Sequence, residues 1–467
     1  MMTAAAPPLW KHQRDAVHFA LKRTATLWHM GLGTGKSRCA IEMAQEIDAR
    51  RVLILCPLSV CAAWKEQHDQ FAQDSHVVVL NKRSVSRKKT DAQFAMEKAR
   101  AYGKPVVVVV NYESARNQPL ASYLESCNFD LLVMDESHRI KSPKGATSKW
   151  VARLARTCKR RVALTGTPLP HSPMDIWAQA RALTLGSHQI FGPSYFKFRR
   201  RYAQMGGFGG KQIVGFQNMD DLRERMSRFT FQVDRSVLDL PPAMHERRTL
   251  DLSPKAMKLY TSLDALFYAQ VKGGEITASN ALVKLLRLQQ LTGGTAAVEQ
   301  PDGAMSLEIV DNSKEDALTD LLQDLPVDEP VVVFARFLGD LGTVHRAAER
   351  AGRASLELSG NRRELEAWQA GAAPIIAVQI QSGGTGVDLT RAAYCCYLST
   401  GFSLGDYEQS LARCHRPGQD RTVWYYHFVA RDTVDEKVYG ALRKRKNVVE
   451  AVLDGIHNNG DGGGACG

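Results

Sequence analysis

The chain runs to 467 residues, 44% hydrophobic and 24% charged, proportions that exclude a disordered chain and leave room for two or three folded domains. Lys and Arg number 61 against 49 Asp and Glu, and the formal charge of +12 suits a polyanionic partner, since a basic surface concentrates phosphates around it. No stretch approaches the ~18 uninterrupted apolar residues of a membrane-spanning helix, and the N-terminus lacks the basic start and long apolar core of a signal peptide, so a cytoplasmic protein is expected.

Nearest the N-terminus, Gly31-Leu32-Gly33-Thr34-Gly35-Lys36-Ser37 leads into helix periodicity over 37–47. Apolar runs at 52–56, 77–80, 106–110, 131–134 and 162–164 lack polar alternation and predict strands of a parallel sheet covered on both faces. Strands alternating with helices make 1–180 an α/β lobe. Residues 181–240 read as a mostly helical extension, with a basic, aromatic helix at 195–202 and a glycine-rich interruption at 206–210. Pro241-Pro242 marks a boundary, and 241–325 is assigned to a linker with helices at 255–270, 281–291 and 317–325. A second strand and helix series, with strands at 331–334, 375–378, 394–398 and 423–428, predicts another α/β lobe over 326–455. A flexible tail at 456–467 follows. Nine cysteines are scattered without metal-ligand spacing, and Cys395 and Cys396 in an apolar run read as buried; such usage points to a reducing compartment.

Gly33, Thr34, Gly35, Lys36 and Ser37 complete the core of a phosphate-binding loop, although Met30 stands where such loops usually begin on a small residue. The glycines let backbone N–H groups turn toward a β-phosphate at a helix N-terminus. Lys36 offers a point charge to the β- and γ-oxygens, and Ser37 a hydroxyl to Mg²⁺. A ligand-free glycine turn is the competing reading. It loses ground to Asp135-Glu136-Ser137-His138, which follows an apolar strand at the end where ligands gather in an open α/β sheet. Asp135 is expected to hold Mg²⁺, largely through water, and Glu136 to orient or deprotonate the attacking water. His138 is a coupling candidate, with a solvated loop histidine as the alternative. Thr165 and Thr167, in Leu164-Thr165-Gly166-Thr167-Pro168, are placed to sense the γ-phosphate, although that motif alone would be a turn.

With these motifs in place the chain resembles the superfamily 2 helicase-type ATPases, and among them the Snf2-like double-stranded DNA translocases, over residues 9–453. The resemblance implies a P-loop NTPase fold of two RecA-like lobes, with helical insertions between them, ATP in the cleft and DNA across the top. Residues 9–17 resemble the stretch that reads adenine, which makes Gln13 the adenine contact. Pro57-Leu58-Ser59 and Trp64 are similar to the first DNA-backbone motif, with Ser59 as the contact. Residues 332–337 resemble the opening strand of the second lobe, with Arg336 toward DNA. Residues 381–389 resemble a segment that touches both ligands, Gly384 and Thr385 toward DNA and Gly386 toward the nucleotide. Residues 409–419 are similar to the final motif, which makes Arg413 and Arg416 arginine fingers for the γ-phosphate. Two guanidiniums on one helical turn would neutralise charge growing on the transferring phosphoryl, and their origin in the other lobe would make hydrolysis require closure. Leu240-Pro241-Pro242, Ser313-Lys314 and residues 433–438 fit the Snf2 group.

Departures bound the resemblance. Residues 403–408 read Ser-Leu-Gly-Asp-Tyr-Glu where remodelling members carry a Trp-Asn-Pro block; His171 and Asp388 each replace an Asn, and Pro417 an Ile. These weigh against a chromatin remodeller, and a compact form of this kind suits a bacterium or bacteriophage. The expected activity is hydrolysis of ATP with Mg²⁺ to ADP and phosphate during movement of a monomer along double-stranded DNA, without sequence specificity. A strand-separating or annealing helicase in replication or recombination is the alternative. A non-hydrolysing nucleotide-dependent DNA-binding protein would need a damaged site. The basic runs at 82–89 and 199–201 read equally as phosphate contacts or solvated charge.

Overall fold

The computed structural model describes residues 7–81, 84–183, 190–207, 210, 212–272, 278–299, 305–381 and 387–453. The chain divides after Leu238, and the second unit occupies Asp239–Lys444. Strands of the first unit are β1 (Ala25–Met30), β2 (Arg51–Cys56), β3 (His76–Val79), β4 (Val106–Asn111), β5 (Leu131–Asp135), β6 (Arg160–Thr165), β7 (Ala203–Gly206), β8 (Gln212–Phe216) and β9 (Thr230–Val233). Seven of them form one parallel sheet in the order β3-β4-β2-β5-β6-β1-β9. Along β2, Leu53 and Leu55 enter one apolar core and Val52, Ile54 and Cys56 the other, and Val106, Val108 and Val110 of β4 likewise part from Val107 and Val109. Burial on both faces is why these strands are continuous apolar runs.

The second unit contributes β10 (Ala243–Leu250), β11 (Thr295–Glu299), β12 (Met305–Ile309), β13 (Val331–Ala335), β14 (Ser355–Leu358), β15 (Ile375–Gln379), β16 (Tyr394–Tyr397) and β17 (Val423–Ala430). Its parallel sheet runs β10-β17-β16-β13-β15-β14. Cys395 and Cys396 point to opposite cores of this sheet, and both are fully buried.

Several elements differ from the sequence reading. The extension after 181 holds helices Tyr195–Tyr202 and Met219–Ser227, but also the antiparallel hairpin β7-β8 and the edge strand β9. Glycines at 206 and 207 therefore approach a hairpin turn, with Gly207 at φ 69°. β10 lies where a linker was expected; its alternation of half-buried and exposed residues is that of an edge strand, which carries no continuous apolar signal. The hairpin β11-β12 likewise interrupts helical material formed by Pro254–Lys272, Ala278–Thr292 and Ser313–Asp324. The expected tail at 456–467 lies outside the described residues.

Candidate nucleotide site

Three motif-bearing strands are neighbours in the first sheet. β5 ends at Asp135, β6 at Thr165 and β1 at Met30, in the order β5-β6-β1. The register pairs Asp135 with Leu164 and His29 with Thr165, so the three ends lie side by side at the C-terminal edge. Adjacent strands sit ~4.8 Å apart, so the sheet itself spaces the carboxylates from the glycine loop.

The loop turns through Gly33 at φ 87° and Gly35 at φ 85°, left-handed values that a β-carbon opposes, and the helix Lys36–Glu46 starts directly afterwards. A β-carbon on Gly35 would also strike the Gln13 amide. Gln13 is buried; its Nε2 donates to Thr34 O at 3.1 Å and its Oε1 accepts from Trp10 N at 2.9 Å. The helix Lys11–Leu21 is thus tied to the loop through the residue expected to read adenine. Thr34 Oγ1 donates to Gly31 O at 2.7 Å. Lys36 Nζ donates to Met30 O at 3.0 Å and Gly31 O at 3.2 Å. Burial lowers the Lys36 pKa, while Glu136 and Asp135 draw it back up.

Asp135 is held from two sides: Trp64 Nε1 donates to Oδ2 at 2.9 Å, and Glu136 N donates to Oδ1 at 3.0 Å. Burial and the neighbouring Glu136 push the Asp135 carboxyl up to about 6, against the Trp64 hydrogen bond and Lys36. Tyr112 OH donates to the Asp135 carbonyl at 2.8 Å. Glu136 itself adopts φ 49° and ψ 54°, the left-handed region. Its Oε2 lies 3.2 Å from His138 Nδ1, which is 3.4 Å from Thr165 Oγ1, and Thr165 Oγ1 accepts from Thr167 N at 3.0 Å. The expected base, coupling histidine and sensing threonines therefore form one contact path. Ser137 and Gln179 buttress it, their side chains bonded at 2.8 Å, with Gln179 Nε2 reaching Pro168 O at 2.7 Å.

Oxygen donors suit Mg²⁺, which takes one or two protein groups together with phosphate oxygens. Ser37 on the first turn after the loop and Asp135 at the sheet edge supply that donor type, so the residues fit the ion.

Trp64, in the segment that resembles the first DNA-backbone motif, has its indole 1% exposed and bonded to Asp135. A tryptophan one turn into the helix Cys61–Phe71, just past a strand end, was the available signal. Ser59 of the same motif is exposed on the turn Leu58–Val60. Arg235, also missed, packs where a Gly31 β-carbon would lie. In the run at 82–89, Lys82 and Arg83 lie outside the described residues, and Lys88 is buried, donating to Ser114 Oγ at 2.7 Å. That lysine belongs to the core of the unit.

In the second unit, Arg413 lies on the helix Leu404–Cys414, with NH1 3.5 Å from Val387 O. The helix ends before Arg416, since a residue preceding proline disfavours the helical conformation and Gly418 turns at φ 102°. The two arginines thus straddle a helix end and do not share a helical turn. The half-buried Arg336 bonds through its guanidinium to Gln289, whose Nε2 donates to Thr400 O at 3.0 Å. Gly384, Thr385 and Gly386 lie outside the described residues. Lys314 and Asp435, from two segments matched to the Snf2 group, form a buried ion pair at 2.7 Å, and Thr292 Oγ1 donates to the same carboxylate at 2.8 Å.

A family profile described as the SNF2-related domain matches residues 12–294, more than half of the chain. The chain belongs to the SNF2-related family. This SNF2-family protein is a DNA-dependent ATPase of superfamily 2, and its two parallel α/β units are the RecA-like lobes of that core. It is 24% identical over 457 residues to protein p41 of the Acyrthosiphon pisum secondary endosymbiont phage 1, covering 93% of this chain and 95% of that one. It is 25% identical to the mouse DNA annealing helicase and endonuclease ZRANB3, where 95% of this chain spans 40% of the relative's length. Among solved structures, the Sulfolobus solfataricus SWI2/SNF2 ATPase core in complex with dsDNA aligns at 19% identity and TM-score 0.44, over 97% of this chain and 94% of that one.

Proposed function

We propose that this SNF2-family ATPase is a translocase on double-stranded DNA, using Mg²⁺ and ATP and holding the backbone without reading sequence. The observation that carries the reading is the link from Trp64 to Asp135. β2 borders β5, and the chain leaving β2 passes through exposed Ser59 before the helix that delivers the Trp64 indole to the carboxylate. A backbone contact at Ser59 and the hydrolysis site thus share one short, stiff element. Bound Mg²⁺ would supply charge neutralisation at the phosphates. Lys36 binds the β- and γ-oxygens, Glu136 positions the attacking water and takes its proton, and His138 with Thr165 and Thr167 reports the state of that site. Arg413 and Arg416, on the second unit, are assigned to the charge that grows on the transferring phosphoryl.

The test compares ATP hydrolysis with duplex, single-stranded and forked DNA, beside displacement of a third strand from a triplex. Duplex stimulation with triplex displacement and no fork unwinding supports the translocase. Unwinding of the fork, or annealing of complementary strands without triplex displacement, favours the second reading, a strand-separating or annealing helicase. The likeness to ZRANB3 recommends carrying that arm.

A further inference from the structure

The helix Tyr195–Tyr202 divides its aromatic residues between two environments. Phe198 and Tyr202 are 2% and 1% exposed and pack edge-on against Phe191, with ring centroids at 5.1 and 6.2 Å. Phe196, on the other side, is 64% exposed. It forms one wall of an open groove of about 410 Å³ whose lining includes Arg199, Arg200, Met205 and Gln217. The groove is held in shape from below. Ser194 Oγ caps the helix by accepting from Lys197 N at 3.3 Å, and Asn218 Nδ2 donates to Arg201 O at 2.7 Å.

The charges around this groove are of two kinds. Arg201 and Arg225 share Asp221 at 2.8 and 2.9 Å, Arg223 pairs with Asp220 at 3.0 Å, and Arg228 with Glu224 at 2.8 Å. Those four arginines knit the extension together. Among the described residues, no carboxylate lies within ion-pair distance of Lys197, Arg199 or Arg200, which gather on the Phe196 side of the same helix. Unpaired guanidiniums beside an exposed ring match a phosphate-bearing ligand with a flat apolar face.

We propose that this groove binds single-stranded DNA, with backbone phosphates on Arg199 and Arg200 and an unpaired base stacked on Phe196. Base-to-aromatic stacking in a basic groove is the general means by which proteins hold a single strand without reading its sequence. A duplex would offer the arginines the same phosphates, but its bases are stacked on one another and leave nothing for Phe196. An acidic peptide would satisfy the charges and likewise leave the ring unused. The site lies outside the nucleotide loop, the carboxylates and the Ser59 turn, so it adds a contact for an unpaired strand to the motor proposed above.

Anisotropy titrations of the full chain with labelled oligothymidine, and with a hairpin-capped duplex of equal length, test it. Phe196→Ala should weaken oligothymidine binding about tenfold and leave duplex binding within about twofold, while Phe196→Tyr retains both. Arg199→Ala with Arg200→Ala should weaken the single strand and flatten its salt dependence by about 1.4 in log–log slope, two phosphates at roughly 0.7 each. DNA-free ATP hydrolysis and circular dichroism should be unchanged, as all three side chains lie outside the catalytic residues. Absence of oligothymidine binding, or binding that Phe196→Ala leaves intact, overturns the proposal. Equal losses on both DNAs would overturn it in favour of a duplex-phosphate track. Competition by oligoglutamate equal to that by oligothymidine of matched charge would overturn it in favour of an acidic-peptide surface. Duplex-stimulated ATP hydrolysis is a separate readout, so the translocase reading and this one can fail independently.

Discussion

Replacing Trp64 by Phe would keep a buried aromatic ring and remove the hydrogen bond that the indole donates to Asp135 Oδ2. A hydrogen bond to a charged group is worth ~1.5–3 kcal/mol, which corresponds to roughly 10- to 150-fold in the balance between ionised and protonated carboxyl, or ~1–2 pH units. The direction follows from which form the indole favours. Its N–H stabilises the carboxylate, so its loss raises a pKa that burial and Glu136 already hold at about 6. Mg²⁺ requires the ionised form, and its binding is opposed below that pKa. Trp64→Phe should therefore move the acid limb of ATP hydrolysis upward by ~1–2 units and raise the Mg²⁺ concentration for half-saturation at neutral pH roughly 2- to 10-fold. Higher pH should recover most of the loss. The assay is steady-state phosphate release across Mg²⁺ concentration at several pH values, with thermal unfolding alongside. An unchanged acid limb and unchanged Mg²⁺ requirement would refute the argument. So would a loss of turnover that is uniform across pH and Mg²⁺, because that is the signature of a packing defect.

Lys36→Ala should abolish ATP hydrolysis with the fold intact by circular dichroism; retained turnover would remove Lys36 from the phosphate site. Arg416→Ala should cut hydrolysis at least about 100-fold, as expected for a lost transition-state cation, while ATP affinity by equilibrium titration changes little. Equal losses in both would contradict its assignment as a finger. Lys314→Met leaves the Asp435 carboxylate buried without its cation, and breaking such a pair costs about 3–5 kcal/mol. Denaturant unfolding should show that loss in the second unit, and a change below about 1 kcal/mol would mean the pair is not needed for folding.

What could be read from the sequence follows the physics of each signal. Strands buried on both faces announce themselves as apolar runs, so β2, β4, β5 and β13 were visible. β1 was not, because Thr26 and His29 break the run; burial pushes His29 down to about 4 and keeps it neutral inside the sheet. Edge strands β9 and β10 and the two hairpins carry short or half-exposed patterns that resemble loops. The glycine loop and the acidic motif were legible because their chemistry is local in sequence. The hydrogen bond from Trp64 was not, since 71 residues separate it from Asp135 and only the adjacency of β2 and β5 joins them. The basic cluster at 199–201 was ambiguous for a similar reason. Arg201 has Asp221 as a partner twenty residues on, whereas Arg199 and Arg200 do not share it, and no local pattern distinguishes them.

Glu136 has a consequence for how variants of this chain should be judged. A glutamate at φ 49° carries its β-carbon against the following carbonyl, at a cost of roughly 1–2 kcal/mol that glycine does not incur and that asparagine offsets in part by local hydrogen bonds from its short side chain. Glu136→Asn would discard the carboxylate and relieve part of that tension in one step. The inactive chain should then unfold at a higher denaturant concentration than the active one. Selection on folding and selection on turnover pull this position in opposite directions, and a screen that rewards soluble, heat-resistant protein would enrich chains that no longer hydrolyse ATP.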